Sequence, residues 1–151
     1  MNSEILRQQL KEIYDSRGVL SPHLVLEAAA NPTSPLHPEF EWDDTVAGKA
    51  YRLAQAAGLI REARITIVKA DAEGGEQAFQ VREYTAARYV QPNAPAGSYV
   101  PTAGLTGPEQ QLLLQRMRRE MASMRSKFGH LDEFWRQMAT MVEQNGEKVA
   151  S

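Results

Sequence analysis

The side chains here whose crowding has chemical potential are carboxylates, histidines and arginines. Four acids fall within six residues: Glu39, Glu41, Asp43 and Asp44. Such a group has the oxygen donors that a hard cation such as Mg²⁺ or Ca²⁺ takes. Phe40 and Trp42 alternate with the first of them, so the acids face away from whatever the rings bury. Asp43 or Asp44 also stands where a helix N-terminus favours negative charge. Capping and solvation therefore account for the cluster more simply than a cation site or an acidic docking surface. No two of the histidines, His23, His37 and His130, are spaced i, i+4 as a helical zinc site requires. His37, between Pro35 and Pro38, is read as bonding to backbone. Gly74-Gly75 stands alone in an acidic turn that repels phosphate, and no glycine-rich phosphate loop exists elsewhere. The absence of cysteine removes thiol nucleophiles, thiolate metal sites and disulfides. The expectation is a non-enzymatic protein with no cofactor and no metal.

Basic residues give a different signal. Residues 116–127 carry Arg116, Arg118, Arg119, Arg125 and Lys127 against the single acid Glu120. Arg64, Arg82 and Arg88 lie in an alternating segment with Tyr84 and Tyr89. Arg64, Arg82, Arg116, Arg118, Arg119, Arg125 and Lys127 are the candidate contacts to duplex DNA phosphates. The plainer reading of the 116–127 run is the solvated face of an amphipathic helix. The first sixty residues hold 5 basic and 8 acidic side chains, so nucleic acid would meet the later segments. The whole chain has a formal charge of -2, which argues against wholesale wrapping by nucleic acid.

The 151 residues have to position these groups with one domain's worth of chain. Three parts are visible. Residues 3–60 read as helical. Ser3 caps a helix with Ile5, Leu6, Leu10, Ile13 and Tyr14 on one face, and Gly18 ends it. Ser21-Pro22 caps a second helix, with Leu20 and Val25 at the spacing of a hydrophobic staple, and Asn31-Pro32 stops it. Residues 31–38 form a non-helical crossing anchored by Phe40 and Trp42. Asp43 or Asp44 caps a third helix whose stripe is Val46, Ala47, Ala50, Tyr51, Ala54 and Ala57. Residues 61–101 change period: Ile65 and Ile67, then Phe79 and Val81, alternate with polar residues, which predicts a hairpin leaning on the helices. Pro92, Pro95, Gly97 and Pro101 mark a linker. The fold class is α+β, mostly α. A helical domain with a hairpin covers 1–101, and a long C-terminal amphipathic heptad helix for oligomerisation or packing covers 102–151.

That last segment has the strictest pattern. Thr106 and Glu109 have capping-box spacing. Leu114, Met117, Met121, Met124, Phe128, Leu131, Trp135, Met138 and Val142 then follow at steps of three and four, a heptad seam for self-association. In a parallel pair Glu120 would meet Arg125 and Lys127 would meet Asp132, contacts that bias orientation rather than drive assembly. Gly129-His130 leaves a fold-back of 131–142 on 114–128 as the alternative, but the unbroken phase favours a continuous helix or at most a shallow kink. Four of the nine seam residues are methionine, so a groove for a partner helix is a further reading, against simple core filling.

Three helices followed by a hairpin are winged-helix-like, with 45–57 as reading helix and Lys49, Arg52 and Gln55 toward the bases. The dozen-residue connection before that helix counts against this. The stretch Asn31-Pro-Thr-Ser-Pro-Leu-His-Pro-Glu-Phe-Glu-Trp-Asp-Asp44, continuing through Ala50-Tyr51-Arg52-Leu53-Ala54-Gln55-Ala56 to Leu59-Ile60-Arg61, resembles a segment of small phage and prophage proteins of no assigned function. The resemblance covers residues 19–68 and implies a phage or mobile-element accessory protein in the cytoplasm of a bacterial host. The partner it suggests is duplex DNA or a phage or host protein. No charged leader with an apolar stretch opens the chain and no apolar run is long enough for a membrane span, so no membrane partner is expected.

Overall fold

Leu6, Leu10 and Ile13 recur at helical spacing and are buried on the inner face of α1 (Ser3–Arg17). Asn2, not Ser3, caps this helix, its side-chain oxygen accepting the Glu4 N–H at 2.8 Å. Ile5 falls off the inward face and is exposed. Gly18 ends the helix at φ 70°, a left-handed conformation that glycine adopts without a Cβ penalty. Ser21 caps α2 (Pro22–Ala29) by accepting the Leu24 N–H. Leu20 and Val25 are both fully buried, as a hydrophobic staple requires. The computed structural model describes residues 1–150, with side chains described through Met141. It is an α+β structure of five α-helices and two small antiparallel sheets.

The crossing between the second and third helices is tightly knit. Leu36 and Phe40 sink into the core. The His37 ring stacks on Trp42 at 4.7 Å, and its Nδ1–H donates to the Ala29 carbonyl at 2.8 Å. The Trp42 indole N–H donates to the His37 carbonyl at 2.9 Å. The distinctive residues of the segment thus hold one another and the end of α2.

The third helix begins later than its sequence suggests. Asp43 caps a turn instead of a helix: its carboxylate accepts both the Thr45 N–H and hydroxyl. These bonds hold its carboxyl below the usual Asp range. The helix α3 (Lys49–Glu62) follows Gly48, and its inward residues are Ala56, Leu59 and Ile60. Val46 and Tyr51 are 71% and 57% exposed, so the expected stripe is displaced. Arg52 explains the rotation. Its guanidinium turns inward to bond the Ala47 carbonyl at 3.0 Å and pair with Asp44 at 2.7 Å. Gln55 beside it accepts the Glu41 N–H.

After α3 the chain forms β1 (Arg64–Ala70) and β2 (Glu76–Arg82), paired from Arg64↔Arg82 to Ala70↔Glu76. Asp71 organises the tip, its carboxylate accepting the Glu73 and Gly75 N–H groups. The hairpin does not lean on the helices: none of its fourteen strand residues is buried. Only its base is tied. The Glu83 N–H donates to the Ala63 carbonyl at 2.9 Å, and Arg7 of α1 lies 3.1 Å from the Glu83 carboxylate.

The proline-rich stretch is no linker. β3 (Tyr84–Ala86) pairs with β4 (Tyr99–Pro101), and the Tyr99 N–H donates to the Leu20 carbonyl at 2.7 Å. Val90, Ala94 and Ser98 are buried between them. Tyr84 is buried in the main core, which pushes its phenol well above the usual tyrosine range. The prolines sit where two three-residue strands need few donors, so they shape this excursion without releasing it.

Two helices complete the chain: α4 (Gly107–Phe128) and α5 (Asp132–Ala150). The expected capping box is present, with Glu109 N–H to Thr106 Oγ1 and Thr106 N–H to the Glu109 carboxylate. The continuous helix over 114–142 is not. The break falls at Gly129, where a Cβ would lie 2.5 Å from the Arg125 carbonyl oxygen. The indole of Trp135 donates to the Phe128 carbonyl at 2.8 Å, satisfying one of the acceptors that the end of α4 leaves open.

Replacing Arg52 with alanine strands the Ala47 carbonyl and loosens the 41–47 turn. We expect a loss of about 1–3 kcal/mol by urea denaturation. Asp44→Ala, at the 80% exposed end of the same ion pair, should cost no more than about 1 kcal/mol.

Candidate interaction surfaces

The apolar ribbon of the C-terminal helices is uncovered. No residue of α4 is buried. Along it Met117, Met124 and Phe128 stand 54%, 43% and 48% exposed, and Leu131 beyond the break 49%. Leu114, Met121, Trp135 and Met138 are half-buried. Val142 lies outside the described side chains. Met121, Arg125, Trp135 and Met138 line a notch between the two helices, so α5 turns toward α4 without closing on it. The fold-back alternative is therefore met only as a bend. The bend also places Asp132 in the first turn of α5, so Lys127 and Asp132 no longer share one continuous helix. Phe134 and Met141, beside the seam, are exposed as well and widen it.

Polar contacts fasten the root of α4 to the body. The Arg116 guanidinium lies 3.6 Å above the Tyr89 ring and its Nε is 3.0 Å from the Glu120 carboxylate. Gln91 donates to Glu109 at 2.8 Å. A cation over an aromatic face contributes roughly 0.5–1 kcal/mol at an exposed site. These contacts use the flank of the helix that carries Glu109 and Arg116. They leave the ribbon, about a third of a turn away, facing solvent. Over its 22 residues α4 extends about 33 Å.

The candidate phosphate-binding residues do not form one patch. Arg64 and Arg82 face each other across the base of the hairpin. Arg64 donates to the Arg61 and Ala63 carbonyls, and Arg61 joins this group although sequence reading passed it over. None of the three has an acidic partner among the described residues. On α4, Arg118, Arg119 and Lys127 are exposed and without an ion pair among the described residues. Arg125 leans toward the Trp135 ring at 5.9 Å, and Arg116 is engaged by Tyr89 and Glu120. Arg118 and Arg125 flank one side of the ribbon and Arg116 and Lys127 the other, so the charges border the apolar strip rather than make a stripe of their own. The winged-helix reading loses two of its three readers, because Arg52 and Gln55 point into the fold.

Sequence reading also missed the face of the hairpin. Ile65, Ile67, Phe79 and Val81 lie on one side and pair as Ile65↔Val81 and Ile67↔Phe79. Ile67, Phe79 and Val81, with Lys69, Gln77 and the tip, line an open groove of about 660 Å³ whose walls come from the hairpin alone. Their alternation was legible; what left it uncovered was not. The acidic segment carries no such surface. Glu39 lies 3.3 Å from the Met1 amino nitrogen, and the other three acids serve local bonds. Among the described residues no group of three His, Asp or Glu side chains is arranged to hold a metal ion, and no helix is long and apolar enough to cross a membrane.

The Thr106 N–H, then the Gln91 side chain, hold the Glu109 carboxyl below its ordinary value of about 4.3. A folded value below the unfolded one means that the stabilisation is present above the unfolded pKa and lost as pH falls through the folded one. The Thr106 amide resonance should therefore titrate with a midpoint below the usual Glu range, and Glu109→Gln should abolish that titration. Comparison with known protein families, curated proteins and solved structures finds no match for this chain.

Proposed function

We propose that this is a non-enzymatic oligomeric accessory protein: a small α+β body with a helical arm through which copies associate. One observation carries the reading, the exposed ribbon of Met117, Met124, Phe128 and Leu131 on a helix that stands out from the body. Water contact along such a ribbon is unfavourable by about 25 cal/mol per Å² of apolar surface, which favours covering it by association. Methionine adapts to an irregular partner and suits a contact of this kind. The resemblance of residues 31–61 to phage and prophage proteins supports a phage or mobile-element context, inside a bacterial host. It also supports an assembly or adaptor role with a phage or host protein as further partner.

Association with duplex DNA is the second reading, supported by Arg64 facing Arg82 with Arg61 beside them. Like charges directly opposed across two strands repel, and a polyanion relieves them. The arm's free cations, Arg118, Arg119 and Lys127, add to the same field. The hairpin tip, with Asp71, Glu73 and Glu76, works against a wing lying along phosphates. A winged-helix mode of binding would have to use the outer face of α3 without Arg52 and Gln55.

Sedimentation velocity tests the first reading. The protein should run as a defined oligomer at micromolar concentration, and Met124→Asp with Leu131→Asp should run as a monomer with an unchanged circular dichroism spectrum, since both side chains are exposed. A wild-type monomer sinks it. For the second reading, duplex DNA should be retained at low salt, released steeply as salt rises, and lost in Arg64→Ala with Arg82→Ala. No retention at low salt removes it.

A further inference from the structure

We propose that the arm of one copy seats in the hairpin groove of a second copy, and the second copy's arm in the groove of the first. This rests on the reading that the arm mediates self-association, and it names the surface that receives it.

Three properties of the two surfaces agree. Both are apolar and lack a cover: the ribbon of α4 on one side, and on the other exposed Phe79 with half-buried Ile67 and Val81. Their lengths match. Leu114 to Phe128 spans about 21 Å at helical rise, and a seven-residue strand spans about 20 Å. At the tip their charges are opposite. Residues 116–127 hold five cations and one acid, while the hairpin end from Lys69 to Gln77 holds one cation and three acids, Asp71, Glu73 and Glu76. At the hairpin base Arg64 and Arg82 carry the arm's own sign, so the complementarity lies at the tip end of the groove.

The arm does not cover its own hairpin. Its root is fastened by Arg116 on Tyr89 and by Glu109 on Gln91, and the groove has no lining residue from α4. Reciprocal exchange between two copies forms a closed two-fold pair and covers both grooves and both ribbons at once. The charged borders orient the helix in the groove, and the apolar strip supplies the driving force.

A complementation experiment with full-length chains tests the pairing. One variant blocks the groove with the arm's own sign of charge, Ile67→Lys with Phe79→Lys. The other blocks the ribbon with the hairpin's sign, Met121→Asp with Met124→Asp. Each alone should sediment as a folded monomer, and a mixture should give a one-to-one heterodimer through the single contact left intact. As a second measurement, a Phe79→Cys chain mixed with a Met121→Cys chain should form a disulfide between them in preference to Met121→Cys with itself; the native chain has no cysteine to interfere. If the groove variant still associates, or cross-links form only between ribbons, the groove assignment is overturned while arm-mediated association stands. If wild type is monomeric, both fall.

Discussion

Three parts of the molecule meet at Glu83. Its N–H donates to the Ala63 carbonyl at the end of α3, its carbonyl accepts the Thr102 N–H on the way to the arm, and its carboxylate takes Arg7 from α1. The ion pair also raises the guanidinium's already high affinity for its proton. With only 16% of the Glu83 side chain exposed, this contact is shielded better than a surface ion pair. The hairpin springs from one side of this junction and the arm from the other. Neither has another broad attachment to the helical core, so the angle between them depends on a handful of polar contacts. Both projecting elements keep an apolar face free because the core is completed without them, by α1, α2, α3, Leu36, Phe40 and Tyr84.

Charge follows the same division. The helical core carries the excess of acid, and the free cations gather on the arm and at the hairpin base. The acids of the Glu39–Asp44 segment are consumed by local bonds, which is why a crowd of four carboxylates amounts to scaffolding. The aromatic and imidazole rings between them serve the same end. His37, Trp42 and Arg52 form one stacked and hydrogen-bonded unit that fixes a long crossing without regular structure.

Features decided within a few residues were legible in the sequence. Gly18, the Ser21 cap, the Leu20–Val25 staple, the bond of His37 to backbone, the pairing of the hairpin and the Thr106–Glu109 box all depend on neighbours in the chain. The readings that failed depend on where a single long side chain or a short strand reaches, which periodicity does not show. The start of α3 is set by Arg52 reaching back to Ala47, and the proline-rich stretch is drawn in by Tyr99 bonding Leu20. The helix break at Gly129 is completed by Trp135, six residues on, although glycine alone costs a helix only about 1 kcal/mol and did not demand it. Of the interaction surfaces, the ribbon was visible as periodicity. The hairpin face was visible only as alternation, with no sign that the core would be full before reaching it.

The clasp between Arg116 and Tyr89 has a consequence for geometry at larger scale. A guanidinium stacked on a phenol tolerates sliding and tilting in a way that interlocked core side chains do not. The part of α4 beyond Arg116, about 18 Å of helix, pivots on such a joint, and about ten degrees there moves its tip by about 3 Å. Two bodies joined by a pair of such levers can change the angle between them without refolding either body.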